Sequence, residues 1–189
     1  SALKLEESIS FQLGELGMKN TKFHTDIKHA ENNVFYNNGC DRIEFLISPN
    51  PGEDLKPLSK IASGGEASRI MLAIKTILAD SDNIPTLIFD EIDTGISGKT
   101  AGLLGEKLLD LSKNHQVFCV THMAAIAAKS ANHFFIEKNI NENRTVTSVR
   151  KLSNDERITE VARLLSGEDN RQKAVELAEE MIFNKKLNF

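Results

Sequence analysis

The segment that most constrains this chain is Leu87-Ile88-Phe89-Asp90-Glu91, an apolar run that ends in two adjacent acids. A short continuous apolar run reads as a buried strand of an α/β sheet. Carboxylates at the carboxyl end of such a strand sit at the sheet edge, where these folds place ligands. One of them can hold Mg²⁺, usually through water. The next points the other way and can orient or deprotonate a water molecule. Asp90 is therefore the candidate metal residue and Glu91 the candidate general base. Ile61-Ala62-Ser63-Gly64-Gly65-Glu66 precedes this strand, and His122 follows the next apolar run. The arrangement is that of nucleotide hydrolysis.

Elements on either side fit an alternating pattern. Leu5, Ile9, Leu13 and Leu16 recur at helical spacing over 3–16, with Gly14 and Gly17 as breakers. Phe23 to Ile27 alternates weakly, and Arg42 to Ile47 reads as a strand closed by Ser48-Pro49-Asn50-Pro51-Gly52, a strong turn signal. Residues 53–62 read as an exposed polar loop. Ile70, Met71, Ile74, Ile77 and Leu78 predict an amphipathic helix from Gly65 to Ala79, with Ser63 as N-cap and Glu66 completing a capping box. Strands follow at 86–89 and 116–120, with a helix over 99–112 between them. A helix at 123–129, strands around 132–137 and 145–150, and helices at 155–165 and 170–184 complete the chain. Strands alternating with helices predict an α/β fold with a sheet that is largely parallel in the middle.

Composition excludes some classes. At 40% hydrophobic and 26% charged, the 189 residues suit one globular domain. No stretch approaches the roughly 18 consecutive apolar residues of a membrane span. Ser1 to Glu7 is mixed and acidic, unlike a secretory signal. Cys40 and Cys119 match no metal spacing and read as reduced, buried thiols of a cytosolic protein. A net charge of −4 argues against a surface given over to nucleic acid, though not against a local basic patch. Lys56, Lys60, Arg69 and Lys75 are candidates for such a strip, with ordinary surface charge the simpler account; Lys185-Lys186 reads as a solvated helix end.

Ser63-Gly64-Gly65 opens a helix with three small residues. Helix N-termini present unpaired N–H groups and partial positive charge, and glycines let a phosphate come close to the backbone. A plain N-cap accounts for the same residues. His122 alone is equally open to a cap or surface role.

Order and spacing join these pieces. Lys60-Ile61-Ala62-Ser63-Gly64-Gly65-Glu66-Ala67-Ser68-Arg69-Ile70-Met71, Phe89-Asp90-Glu91-Ile92-Asp93-Thr94-Gly95-Ile96-Ser97-Gly98 and Val120-Thr121-His122-Met123-Ala124-Ala125-Ile126-Ala127 resemble successive blocks of the RecN family, in the SMC/Rad50-like branch of ATP-binding-cassette (ABC) ATPases. Ser48-Pro49-Asn50-Pro51-Gly52-Glu53 and Ala162-Arg163-Leu164-Leu165-Ser166-Gly167 are similar to its flanking blocks. The resemblance implies ATP and Mg²⁺ as cofactors. Asp90 would hold Mg²⁺, Glu91 would polarise the attacking water, and His122 would contact the γ-phosphate. Ser63, Gly64, Gly65 and Glu66 would form the signature that closes over ATP on a second head. Asp93 to Ser97 would be the D-loop that touches that partner head. Glu66 in place of the usual glutamine and Ser97 in place of aspartate look like features of the RecN branch.

A P-loop is missing. The only Gly-Lys-Thr is Gly98-Lys99-Thr100, and the position five before Gly98 is Asp93 rather than glycine. The resemblance therefore implies the C-terminal lobe of an ABC-type head, with residues 1–17 as the end of a returning coiled-coil arm and 18–189 as the lobe. Its partners would be an N-terminal P-loop half, a second head in a homodimer and DNA, with no membrane. It implies ATP hydrolysis in double-strand-break repair and recombination by the whole protein, cytoplasmic and nucleoid-associated, and inactivity of this chain alone. Three other readings are a transporter cassette, which the missing P-loop disfavours, a non-catalytic dimerisation module, and another SMC, Rad50 or RecF relative.

Overall fold

A computed structural model describes residues 1–29, 37, 39–78, 84–141, 144–167 and 171–183. Ala79, at the predicted end of a helix, and Lys185-Lys186 lie outside them. Helix α1 spans Ala2–Glu15 and buries Ile9 and Leu13, the residues its spacing predicts. With Leu16 they enter the main core, while Leu3 and Phe11 on the same helix are exposed. Lys107 fastens this helix by hydrogen bonds to Gln12 and, at 2.7 Å, to Glu15.

Strands β1 (Lys22–His29) and β2 (Asp41–Ser48) pair antiparallel, with Phe23 opposite Ile47. The predicted turn follows: Ser48 Oγ donates to the carbonyls of Asn50 and Glu53, each at 3.0 Å. The stretch 53–62 departs from the expected loop. Lys56–Pro57 forms a two-residue strand β3 against Leu46 and Ile47, and Leu58–Lys60 adds a 3₁₀ turn. A proline lacks the ladder N–H, and a minimal outer strand is where a sheet tolerates one.

Helix α2 (Gly64–Leu78) buries Gly65, Arg69, Ile70, Leu72, Ala73 and Ile74. Met71 and Leu78, predicted on its apolar face, are exposed instead, because the buried stripe runs through Gly65, Arg69, Leu72 and Ala73. Strands β4 (Thr86–Phe89) and β5 (Gln116–Cys119) pair in parallel, with Ile88 opposite Phe118. Helix α3 (Gly98–Leu111) connects them and buries Ala101, Leu104, Leu108 and Leu111. Among the described residues this is the one parallel pairing; the remaining sheets are antiparallel.

The two faces of β4–β5 differ. Leu87 and Phe89 belong to the main core, whereas Ile88 is 73% exposed, with Phe118 and Val120 also exposed beside it. A short helix α4 (Ala124–Ala127) follows, four residues rather than the seven expected at 123–129. The hairpin β6 (Phe134–Asn141) and β7 (Arg144–Lys151) leads into α5 (Asn154–Ser166) and α6 (Arg171–Phe183). Ala124, Ala127, Ala128, Val161, Ala162, Ala174 and Ala178 form a second, smaller core whose small side chains let α4, α5 and α6 approach closely. No helix among the described residues is long and apolar enough to cross a membrane.

Candidate functional site

The parallel strand β4 delivers Asp90 and Glu91 to its carboxyl end, both exposed. Asp90 Oδ1 accepts the Glu91 N–H at 2.9 Å, and Ser68 Oγ of α2 donates to the Asp90 carbonyl at 2.8 Å. Glu91 has φ +55, the one positive value outside glycine among the described residues. A left-handed backbone at a side chain of this kind costs roughly 1–2 kcal/mol. Its carbonyl accepts the Thr94 N–H at 3.0 Å, closing the turn.

Glycine is required at position 65, where this turn lies against the start of α2; at position 64 the neighbour is the movable end of the Glu91 side chain. A Cβ on Gly64 would stand 2.5 Å from Glu91 Oε2. One on Gly65 would stand 2.9 Å from the Glu91 carbonyl oxygen and 3.2 Å from Thr94 Cβ, and backbone cannot swing aside. Ser63 caps the helix as expected: its carbonyl accepts the Ala67 N–H at 3.0 Å and its Oγ the Glu66 N–H at 3.4 Å. The start of α2 and the turn of the acid pair thus lie against each other.

Arg69, for which ordinary surface charge is the simpler account from sequence, is instead part of the site. It is buried, and its Nη1 donates to the carbonyls of Ile92 at 3.1 Å and Thr94 at 2.8 Å. Burial lowers its pKa, with Glu66 and Asp93 acting in the opposite direction. An arginine interrupting the stripe Gly65, Leu72, Ala73 was the available signal. Its guanidinium braces the turn that carries the acids.

Asp93 is turned inward. Its Oδ2 accepts the Thr121 hydroxyl at 2.5 Å and the His122 N–H at 3.0 Å, and lies 3.2 Å from His122 Nδ1. Thr121 Oγ1 accepts the Met123 N–H at 3.0 Å. The His122 side chain is 75% exposed. Cys119, the last residue of β5, is half-buried and not fully enclosed; burial first, then Asp93 and Asp90, push its thiol up to about 12, so it stays protonated near neutrality. Cys40, expected to be buried, is exposed.

Ser97 caps α3, its Oγ accepting the Thr100 N–H at 3.4 Å. Gly98-Lys99-Thr100 is simply the first turn of that helix. The structure therefore brings Ser63 to Glu66 together with Asp90 to Asp93, and Asp93 together with His122, while Ser97 stands at the following helix start. Among the described residues no group of three or more His, Cys, Asp or Glu is arranged to hold a metal.

No protein-family model matches the chain. Curated relatives do. DNA repair protein RecN of Halalkalibacterium halodurans is 41% identical over 183 residues, 96% of this chain and 32% of that protein. RecN of Haemophilus influenzae is 42% identical over 182 residues, again 96% and 32%, and RecN of Bacillus subtilis 39% over 179 residues, 88% and 31%. The chain thus spans about a third of the length of the relatives it matches. The Smc head domain with a coiled coil and joint from Pyrococcus yayanosii superimposes with a TM-score of 0.55 at 18% identity, covering 86% of this chain and 29% of that one. An Smc head from Pyrococcus furiosus gives 0.50 at 19% identity, covering 80% and 35%. At these identities the likeness is one of fold.

Proposed function

We propose, for a chain similar to RecN over nearly its whole length, that it is the C-terminal lobe of an ABC-type ATPase head acting in bacterial double-strand-break repair and recombination. The carrying observation is the contact of the acid-tipped strand β4 with the glycine start of α2, where Glu91 lies against Gly64 and Gly65. In this reading residues 1–17 are the end of the returning arm and 18–189 the lobe. A nucleoid-associated, cytoplasmic location follows from DNA as the whole protein's partner.

The residues present fit Mg²⁺ and ATP only as half of a site. Asp90 offers one exposed carboxylate, and Mg²⁺ commonly takes one or two carboxylates with water and phosphate as its remaining ligands. Bound Mg²⁺ would supply charge neutralisation on the phosphates. Glu91 orients the attacking water and accepts its proton; His122 meets the terminal phosphate from the β5–α4 loop. Ser63, Gly64, Gly65 and Glu66 present the N-terminus of α2 to ATP held on the second head; of the turn from Asp93 to Ser97, the residues after Asp93 face it, while Asp93 itself is buried beneath them. The β- and γ-phosphate lysine and hydroxyl of a P-loop come from another polypeptide segment. The open face of β4–β5, with Ile88, Phe118 and Val120, is where that P-loop half completes the sheet layer.

The test is ATP turnover by this chain alone, with a separately made P-loop half, and by the two tethered. Turnover only where both halves are present, lost in Glu91→Gln, is the expected result. Robust turnover by the chain alone, or none in any assembled form, would overturn the split-site reading.

A further inference from the structure

Asp93 is 3% exposed, although the turn it belongs to also carries the exposed acids Asp90 and Glu91. A buried carboxylate persists where hydrogen bonds compensate for lost water. Here one oxygen, Oδ2, serves the Thr121 hydroxyl, the His122 N–H and the edge of the His122 ring at Nδ1. The same Thr121 hydroxyl takes the Met123 N–H, so three consecutive residues of the β5–α4 loop are referred to one atom. Asp93 itself has little freedom, because Arg69 holds the carbonyls of Ile92 and Thr94 on either side of it.

This geometry separates the roles of the two ring nitrogens. With Nδ1 facing the buried carboxylate, Nε2 is left to face outward on a side chain that is 75% exposed. A ring with one nitrogen 3.2 Å from a carboxylate presents the other in a preferred direction, as orienting carboxylates do for histidines elsewhere. An acid this deeply buried is poorly placed to meet a nucleotide or another subunit itself.

We infer that Asp93 is a positioning residue for His122: its Oδ2 fixes the Thr121–Met123 loop and aims the imidazole, and Arg69 keeps Asp93 in place. The inference rests on the ATPase reading of the site. It assigns Asp93 an action through His122, distinct from the contact with a second head that the resemblance implies.

Two measurements decide it. In the 189-residue chain labelled with ¹⁵N-histidine, Asp93→Asn should change the ring-nitrogen shifts of His122 and leave those of His24 and His29 in place; an unchanged His122 signal overturns the inference without reference to ATP. In the assembled head, His122→Ala and Asp93→Asn should each lower kcat by roughly 10- to 100-fold, the range seen when an orienting partner is lost. KM should move little, and the double variant should be no more than about twofold below His122→Ala, the non-additivity of residues that act as a unit. Fully additive losses, or a loss confined to KM, also overturn it. A wild-type head without turnover would instead refute the ATPase reading, leaving the ring-shift result to judge Asp93. Should Asp93→Asn melt the lobe, Thr121→Val removes one of the same donors and carries both measurements.

Discussion

Two helices of this lobe begin with the same pattern, Ser-x-x-Glu, and close it differently. At α5 the box is complete: the Ser153 N–H donates to Glu156 Oε2 at 2.8 Å, and the Glu156 N–H donates to Ser153 Oγ at 3.3 Å. Arg150 adds a third bond to Glu156 at 2.6 Å. At α2 the hydroxyl of Ser63 receives the Glu66 N–H at 3.4 Å, and the two residues between are glycines pressed against the Glu91 turn. The first arrangement satisfies orphan helix donors with the chain's own side chains. The second keeps the same end thinly covered, with room only for backbone. Identical spacing thus closes one helix start with side chains and leaves the other to backbone.

The largest expected effect comes from filling the thin end. Gly65→Ala places a methyl group 2.9 Å from the Glu91 carbonyl, so the turn must shift. A displacement of about 1 Å can cost 10²-fold in rate, and overpacking costs about 1–3 kcal/mol in stability. Turnover of the assembled head should fall to background and the melting temperature should drop; normal turnover would show that the turn is free to move. Next, Glu91→Gln should lower turnover on the order of 10² or more while retaining ATP binding, as loss of a general base does. Equal turnover in mutant and wild type removes Glu91 from the chemistry.

Serine replacements compare the two caps directly. Ser153→Ala should cost about 1 kcal/mol by denaturant midpoint, the usual loss for an N-cap. Ser63→Ala removes a hydrogen bond of nearly the same length, 3.4 against 3.3 Å, and should cost a similar amount, yet it should be the one that slows turnover. Turnover unchanged in Ser63→Ala would mean that the α2 cap is structural. The smallest effect is that of pH. Hydrogen bonds from the Ser153 backbone, then from Arg150, hold Glu156 below the usual carboxylate range. A carboxylate lowered on folding contributes stability above its unfolded pKa and loses it as pH falls through the folded value. The stability gap between wild type and Glu156→Gln should therefore be present at neutral pH and close in acid. A gap that persists at low pH would assign the effect to packing.

What the sequence makes legible follows the range of the interactions. Strand β4, helix α3 and the α2 cap were readable because apolar spacing and capping chemistry act within a few residues. Arg69 was not, since the carbonyls it holds lie 23 and 25 positions away. A buried guanidinium and a surface one look alike in a helical repeat. Asp93 turned inward for the same reason: its partners sit 28 and 29 residues on, at Thr121 and His122. Lys56–Pro57 looked like loop because two residues carry no alternation, and only the neighbouring β2 makes them a strand.

The backbone at Glu91 has a further consequence. Its φ of +55 is a conformation that glycine adopts freely and glutamate does not. Glu91→Gly should therefore make the lobe more resistant to heat even as it removes the acid, a trade between durability and work. A library of random variants screened for thermal survival alone would enrich that substitution, whereas one screened for turnover would discard it.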